Sequence, residues 1–259
     1  MNARGRRLAK RRKFLREIGS IVLGVLIALA LGAVATEIGW LIDVGNAKKA
    51  IGEELGEILG QGQERVRLYP CLERKLTAIG GILDEADKSG RLPPVGDVGD
   101  PPWRTWPRNI WDSTIGSDTA AHFNRGTLDN ISGVYELLTF VDRYTDEEID
   151  AWRRLYAIVG PGRTISRDEV VSLRDALSSA RLSNRMITGS SIRMAQIADA
   201  YDLPVDRHVV GQWAKAPIDR YCAPIAQPNG EGYGESLMGD MFERVQKHPI
   251  TRESLGTSK

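Results

Sequence analysis

The chain of 259 residues has room for one or two domains with a sizeable core, and its 35 Lys and Arg residues nearly balance its 34 Asp and Glu residues. The balance hides an asymmetry: the net charge is +1 for the whole chain but +7 for residues 1–17, so the remainder carries −6. A basic head on a mildly acidic body suits contact with anionic lipid and argues against nucleic acid as a main partner.

A long apolar run follows the basic head. No charged residue occurs from Ile18 to Thr36, and a helix of that length measures about 28 Å, close to the hydrocarbon core of a bilayer. Glu37 is the first charge after the run, and Trp40 lies where an interfacial aromatic side chain would anchor its outer end. The pattern predicts a transmembrane helix over residues 18–42, with the basic head in the cytoplasm and a lipid bilayer as the first partner.

The head has a second interpretation. Arg11-Arg12-Lys13-Phe14-Leu15-Arg16 resembles the twin-arginine export motif, and Ala33-Val34-Ala35 offers a small-x-small cleavage site. On this interpretation the mature protein starts near Thr36 and is an exported enzyme or ligand-binding protein. The anchor is favoured because the apolar pattern continues to Ile42 without a break at the supposed cleavage site.

Small side chains recur along one side of the apolar run. They follow at every fourth residue, so a helix aligns them on one face that lets a second backbone approach closely in lipid. This face predicts packing against a second copy of the chain or against a partner membrane protein. Its members are Ser20, Gly24, Ala28, Gly32 and Thr36.

The same region carries a family resemblance. The segments 14–19 and 22–29, with Glu37 and Trp40, resemble a group of proteobacterial single-pass, membrane-anchored helical proteins of unknown function. The resemblance extends more faintly through Pro70–Arg74 and the region from Trp111 to Tyr135. It implies an inner-membrane location, a cytoplasmic N-terminus and a helical periplasmic region, and it implies no activity, cofactor or catalytic residue.

Two amphipathic segments follow the apolar run, over residues 47–69 and 71–88. Because proline breaks or kinks a helix, Pro70 predicts either a helical hairpin or one kinked rod that stands off the membrane. Gly52, Gly56 and Gly60 recur every four residues in the first segment. Each glycine costs a helix about 1 kcal/mol relative to alanine, so the repeat predicts either a close helix contact or a fraying, mobile stalk.

A loop rich in proline and glycine is predicted over residues 91–109. Tryptophan and arginine side chains interleave in this loop and just beyond it. Indole and guanidinium groups together suit a ligand or partner surface, but tryptophans also hold long loops onto a helical body. The second interpretation is favoured. The residues concerned are Trp103, Arg104, Trp106, Arg108 and Trp111.

The chain then returns to helical patterns. One or two short helices are predicted over residues 110–123 and a longer one over 128–143. Capping boxes at Thr145–Glu148 and Ser166–Glu169 predict the start of two more helices, which end near Val159 and Tyr201. Alternating strand patterns are missing from the sequence, so the predicted body is all-α.

Residues 203–259 contain several prolines and glycines and predict an irregular extension held by Trp213, with one short helix around residues 236–246. The glycine-rich stretch Gly230–Gly234 has neither the preceding strand nor the following Lys-Ser/Thr of a nucleotide-binding loop. The sequence therefore predicts no cofactor here.

Chemistry-bearing motifs are scarce. Two cysteines, Cys71 and Cys222, lie beyond the apolar run, where a disulfide is favoured over two buried thiols. His122, His208 and His248 share no ligand spacing. The sequence therefore gives no catalytic, metal-binding or cofactor-binding residue.

The predicted architecture is an all-α chain with one transmembrane helix, a periplasmic multi-helix bundle and a Pro/Gly-rich C-terminal extension. The predicted function is a protein-interaction, scaffold or accessory role at the membrane. The predicted divisions are a cytoplasmic head (1–17), an anchor (18–42), stalk helices (43–90), a helical extracytoplasmic domain (91–202) and an irregular extension (203–259).

Overall fold

The computed structural model describes residues 3–227, with side chains from Arg16 onward, and the protein is mostly helical. Its first helix, α1, runs without interruption from Ala3 to Ser89. Of the two alternatives predicted at Pro70, a hairpin or one rod, the hairpin is therefore wrong. Although proline removes one helix hydrogen bond, Leu68 and Leu72 on either side of Pro70 are fully buried, and their packing against the rest of the body stabilises the helix through this residue.

The helix α1 ends where the sequence predicts. Gly90 adopts φ +67°, a left-handed conformation that glycine accepts readily and that stops a helix. The chain continues into a two-residue strand, β1 (Arg91–Leu92), which pairs antiparallel with β2 (Arg163–Thr164). This short ribbon lies outside the all-α prediction, because two residues are too few to show a strand pattern.

The segment between β1 and the next long helix contains two short helices, α2 (Asn109–Ile115) and a 3₁₀ helix (Asp118–His122). The sequence predicted one or two short helices here. Glu54 of α1 accepts hydrogen bonds from the backbone N–H groups of Ile110 and Trp111. A carboxylate on the body half of α1 thus fixes the start of α2.

A single helix, α3 (Arg125–Leu155), replaces the two helices that the sequence divides at Thr145. The predicted capping box does not form, because the Thr145 hydroxyl donates to the carbonyl oxygen of Val141 and accepts from the indole of Trp106. Glu148 likewise turns away from the backbone and pairs with Arg65. A second 3₁₀ helix (Tyr156–Ile158) follows α3 directly.

The helix α4 (Arg167–Ala200) begins as predicted, because the Ser166 side chain accepts a hydrogen bond from the backbone N–H of Glu169. Its residues meet α1 in reverse order: Asn184 bonds Glu73 and Arg174 pairs with Asp84. The two helices are therefore antiparallel.

The region after α4 contains two short helices that the sequence did not predict, α5 (Arg207–Trp213) and α6 (Asp219–Cys222). Asp206 caps α5 by accepting from the N–H groups of His208 and Val209. The predicted helix at 236–246 and the glycine-rich stretch at 230–234 lie outside the described residues.

The hydrophobic core joins α1 to α3 and α4 in two clusters along the length of the body. The segment that the sequence separates as stalk helices lies inside this body, because its apolar residues are fully buried between the later helices. The fully buried large residues of α1 are Ile51, Leu55, Ile58, Leu68, Leu72, Leu76, Ile79 and Leu83.

Candidate functional site

The side chains of α1 from Arg16 to Ile38 are exposed. The described residues include one helix that is long and apolar enough to cross a membrane, by length and composition, and a signal sequence would meet the same criterion. A Cβ atom added at Gly24 or Gly32 would have no neighbour within 4 Å. The small-residue face of this apolar segment (residues 18–42, called the span below) is therefore not covered at these two positions by any described residue.

The glycines of the body half of α1 are covered. A Cβ atom at Gly52 would overlap the carbonyl oxygen of Pro204, and one at Gly56 would lie 2.7 Å from the carbonyl oxygen of Asp206. At Gly60 the added atom would lie 2.5 Å from the Trp213 ring. The close helix contact is therefore the correct alternative, and the segment leading into α5 supplies it.

Trp40 joins the exit of the apolar run to the body. Its ring stacks on His122, with ring centroids 4.0 Å apart and an interplanar angle of 14°. His122 ends the first 3₁₀ helix, so this helix contacts α1 about 6 Å along the axis from Thr36. The body therefore begins within one or two turns of the last residue of the uncharged run.

The tryptophans of the 91–111 region divide between core and surface. Trp106 and Trp111 are buried, and Trp111 stacks on Tyr135 with centroids 4.8 Å apart. Trp103 is 61% exposed. Trp106 donates its indole hydrogen to Thr145, so two of the three tryptophans hold the loop against the body.

Arg104 and Arg108 are both paired with carboxylates. Arg104 forms a two-pronged ion pair with Glu64, at 2.6 and 2.8 Å, and its guanidinium lies 5.4 Å from the Trp213 ring centre. Arg108 pairs with Asp112 at 3.0 Å. The predicted Trp and Arg set therefore does not converge on one surface, because most of its members bind other parts of the body.

A buried polar network joins the three long helices. Arg65 of α1 pairs with Glu148 of α3 and donates at 3.0 Å to Asn184 of α4. Asn184 in turn donates at 2.8 Å to Glu73. Burial raises the pKa of the Glu148 carboxyl, and the charge of Arg65 opposes that shift. The network fixes the relative positions of the three helices.

This network was not predicted from the sequence, although two of its members are polar residues at core positions of a helix. Arg65 lies at core spacing between Ile58 and Leu72, and Asn184 lies at core spacing between Leu177 and Ile187. A polar residue inside an apolar stripe must find a partner in the core. The sequence cannot name the partner, because Glu148 lies 83 residues away from Arg65.

A second buried charge lies under the loop after β1. Lys75 is 6% exposed, and burial lowers the pKa of its ammonium group, whereas Asp97 and Asp100 act in the opposite direction. The backbone of Asp97 also forms an isolated bridge with Ala226. The loop thus connects α1 to the segment that follows α6.

The two cysteines form a disulfide that closes 151 residues of chain, Cys71–Cys222. It fixes α6 to the middle of the body half of α1. Arg67 adds two hydrogen bonds to the same region, donating to the carbonyl oxygens of Ala214 and Ala216. The segment from α5 to α6 is therefore held on α1 at several points.

A cleft opens between α1 and α4. Its volume is about 600 Å³, within the range of small-molecule sites. Among the described residues there is no group of three or more His, Cys, Asp or Glu side chains that could hold a metal ion. The cleft is lined by Thr77, Gly80, Gly81, Asp84, Arg174, Leu177, Ser178, Arg181 and Arg185.

Comparison of the chain with protein-family models, with curated proteins and with solved structures finds no match. The resemblance to single-pass proteobacterial proteins therefore stays a prediction.

Proposed function

We propose that this protein is a single-pass, membrane-anchored scaffold or accessory protein whose helical body lies on the periplasmic side of a bacterial inner membrane and binds other proteins or a second copy of itself. The observation that carries this proposal is the continuity of α1. The exposed apolar segment and the buried residues from Ile51 to Leu83 belong to one helix, with no linker between them. The span therefore holds the body in a set orientation.

A rigid connection suits a scaffold. A flexible linker would let the body turn independently of the span, whereas α1 transmits the rotation and tilt of the span directly to α3 and α4. The small-residue face and the partners of the body are then fixed relative to each other. Any helix that packs on Gly24 and Gly32 would set the direction in which the body points.

The disulfide supports the periplasmic side. Disulfides persist in oxidising compartments and are rare in a reducing cytoplasm. The bridge lies in the body, beyond the span, while the basic head precedes the span. The positive-inside rule and the redox compartment thus favour the same orientation.

The anchor is tested by the intact mass of the native protein in membrane and soluble fractions, measured without reductant. We expect a full-length mass, less two hydrogens for the disulfide, confined to the membrane fraction. A matched variant, Ala33→Leu with Ala35→Leu, removes the small-x-small site. A soluble species lacking residues 1–35 that disappears in this variant would overturn the anchor and favour the exported enzyme or ligand-binding protein.

Packing through the span is tested by cysteine crosslinking in native membranes. The native cysteines are bridged, so an introduced thiol reacts alone. Gly24→Cys places it on the small-residue face, and Leu26→Cys places it about 200° away around the helix. We expect oxidation to give a crosslinked dimer or a larger adduct only with Gly24→Cys. Equal crosslinking at both positions, or none, would contradict specific packing on this face.

A further inference from the structure

We propose that the cleft between α1 and α4 binds a multivalent oxyanion, through the guanidinium groups of Arg181 and Arg185. This site lies in the body alone and goes beyond the scaffold role. The observations that support it are two arginines that form no ion pair with the described residues, the open floor of the cleft and the position of the cleft in the molecule.

The three arginines that line the cleft differ in their partners. Arg174, at one end of the cleft, is occupied by Asp84 at 2.8 Å and by Asp87 at 3.2 Å. Arg181 and Arg185 have no such partner: within residues 16–227, neither forms an ion pair with a carboxylate. Their hydrogen bonds go to backbone carbonyl oxygens at 3.4 Å, those of Leu76 and of Arg181 itself.

The spacing of these two arginines suits an oxyanion. They stand four residues apart on α4, so their side chains leave the helix on the same face with Cβ atoms about 6 Å apart. Each guanidinium presents several N–H donors in a plane, which matches carboxylate and phosphate oxygens. Two such groups side by side suit a ligand that carries more than one negative charge.

The floor of the cleft is open because of two glycines. Gly80 and Gly81 follow each other in α1, and each costs the helix about 1 kcal/mol relative to alanine. A Cβ atom at Gly81 would meet nothing within 4 Å, and one at Gly80 would make only ordinary contacts with Arg181 and Leu177. The fold of the body does not require glycine at 81, whereas an occupant of the cleft would gain room from it.

Hydroxyl groups and an apolar wall complete the cleft. Ser178 and Thr77 line it beside Leu177. The Thr77 hydroxyl donates to the carbonyl oxygen of Glu73, which leaves its oxygen as an acceptor, and Ser178 is exposed. The cleft therefore offers cationic, polar and apolar contacts over about three helical turns.

The position of the cleft limits the source of the oxyanion. On the proposed topology, residues 77–84 lie about 60–70 Å along α1 from Thr36. The headgroup layer of a bilayer extends only about 5–7 Å beyond the hydrocarbon core. A lipid headgroup of the anchoring membrane does not reach this site, so the ligand is a soluble anion or an anionic group carried by another molecule.

The test is calorimetric titration of the full chain in detergent micelles at low salt, with citrate as a polycarboxylate probe and tripolyphosphate as a polyphosphate probe. We expect at least one probe to bind, and more weakly as salt is added. The tighter of the two identifies the chemical class of the ligand. If neither probe binds, the proposal is wrong.

Two pairs of variants locate the binding. Arg181→Gln with Arg185→Gln should weaken it about tenfold or more, because hydrogen bonds to charged groups are lost, whereas Arg193→Gln removes an exposed arginine of α4 outside the cleft and should leave the affinity unchanged. Affinity that falls equally in the double variant and in Arg193→Gln would reveal nonspecific charge attraction and overturn the site.

The second pair leaves the arginines in place. Gly81→Glu puts a carboxylate into the open floor, where it competes for both guanidinium groups, and should abolish binding. Gly133→Glu adds the same charge on α3, at a position with no neighbour within 4 Å of its Cβ atom, and should bind as the native chain does. Full affinity in Gly81→Glu would overturn the placement of the ligand in this cleft.

Discussion

The two halves of α1 carry the same repeat of small side chains, but only one half is covered. In the body, Gly52, Gly56 and Gly60 lie directly under the chain from Pro204 to Trp213, which leaves no space for a Cβ atom. In the span, Gly24 and Gly32 have no neighbour within 4 Å. The same small-residue pattern is thus covered in one segment of α1 and uncovered in the other.

A glycine repeated every four residues along a helix has a limited predictive meaning. It predicts a face on which another backbone lies close, and it does not predict where that backbone comes from. In the body the contact comes from the same chain, in a segment that lies about 150 residues away in sequence. In the apolar segment no described residue lies within 4 Å of a Cβ atom added at Gly24 or Gly32, so the same face is left open.

Loss of the buried cation in the polar network is expected to lower the stability of the body more than any of the changes that follow. Arg65→Met leaves Glu148 buried without its cation, and we expect the free energy of unfolding to fall by about 3–5 kcal/mol. The measurement is urea unfolding of the full chain in micelles, followed by tryptophan fluorescence. Adding Glu148→Leu should restore most of the loss, since an apolar pair replaces the ion pair.

An equal loss in the single and the double variant would contradict this account. It would mean that the methionine itself does not fit at position 65, so that the shape of the site rather than an unpaired carboxylate sets the stability.

The disulfide is expected to have the next largest effect. Replacing Cys71 and Cys222 by alanine should lower the free energy of unfolding by about 2–5 kcal/mol, because the unfolded chain regains the freedom of a long loop. The same urea titration measures it. Reductant should destabilise the native chain to a similar extent and leave the variant unchanged. A reductant effect on the variant would show that the loss does not come from the bridge.

The long elements could be predicted from sequence because their signals are local. The cap at Ser166, the end of the segment 71–88 and the apolar stripe from Ile51 to Leu83 each depend on residues within one helix. The box at Thr145 has the same spacing as the one at Ser166 and fails. A threonine inside a continuing helix can bond the carbonyl four residues before it, and Trp106 stabilises that choice.

The short elements and the site could not be predicted because they depend on distant contacts. Helices as short as α5 and α6 are unstable alone, and α5 is held by the glycine face of α1. The tryptophans of the loop favour a loop that is held against the body, but they do not predict which of them face the core. The cleft forms only where α1 packs beside α4. No single stretch of sequence therefore predicts that Arg181 and Arg185 line the same cleft as Gly81.

Substitution of a covered glycine is expected to have a smaller effect on stability. Gly52→Ala forces the segment at Pro204 away from α1, and we expect a loss of about 1–3 kcal/mol from overpacking, larger than the helix propensity gained. Gly45→Ala is the matched control, because its Cβ atom meets nothing within 4 Å. It should be neutral or stabilising by up to about 1 kcal/mol in the same urea titration. An unchanged free energy of unfolding in Gly52→Ala would mean that the segment leading into α5 can move away from α1 without loss of stability.

Substitutions on the small-residue face of the span are expected to have the smallest effect on the stability of the body. Gly24→Leu with Gly32→Leu should change the free energy of unfolding of the body by less than about 0.5 kcal/mol, because no described residue covers either position. The same pair should abolish self-association in membranes, measured by energy transfer between labelled copies, because leucine keeps two backbones apart. If self-association survives while the body stays intact, the small-residue face of the span does not mediate it. The likeness between the two halves of α1 would then be one of composition and not of contact.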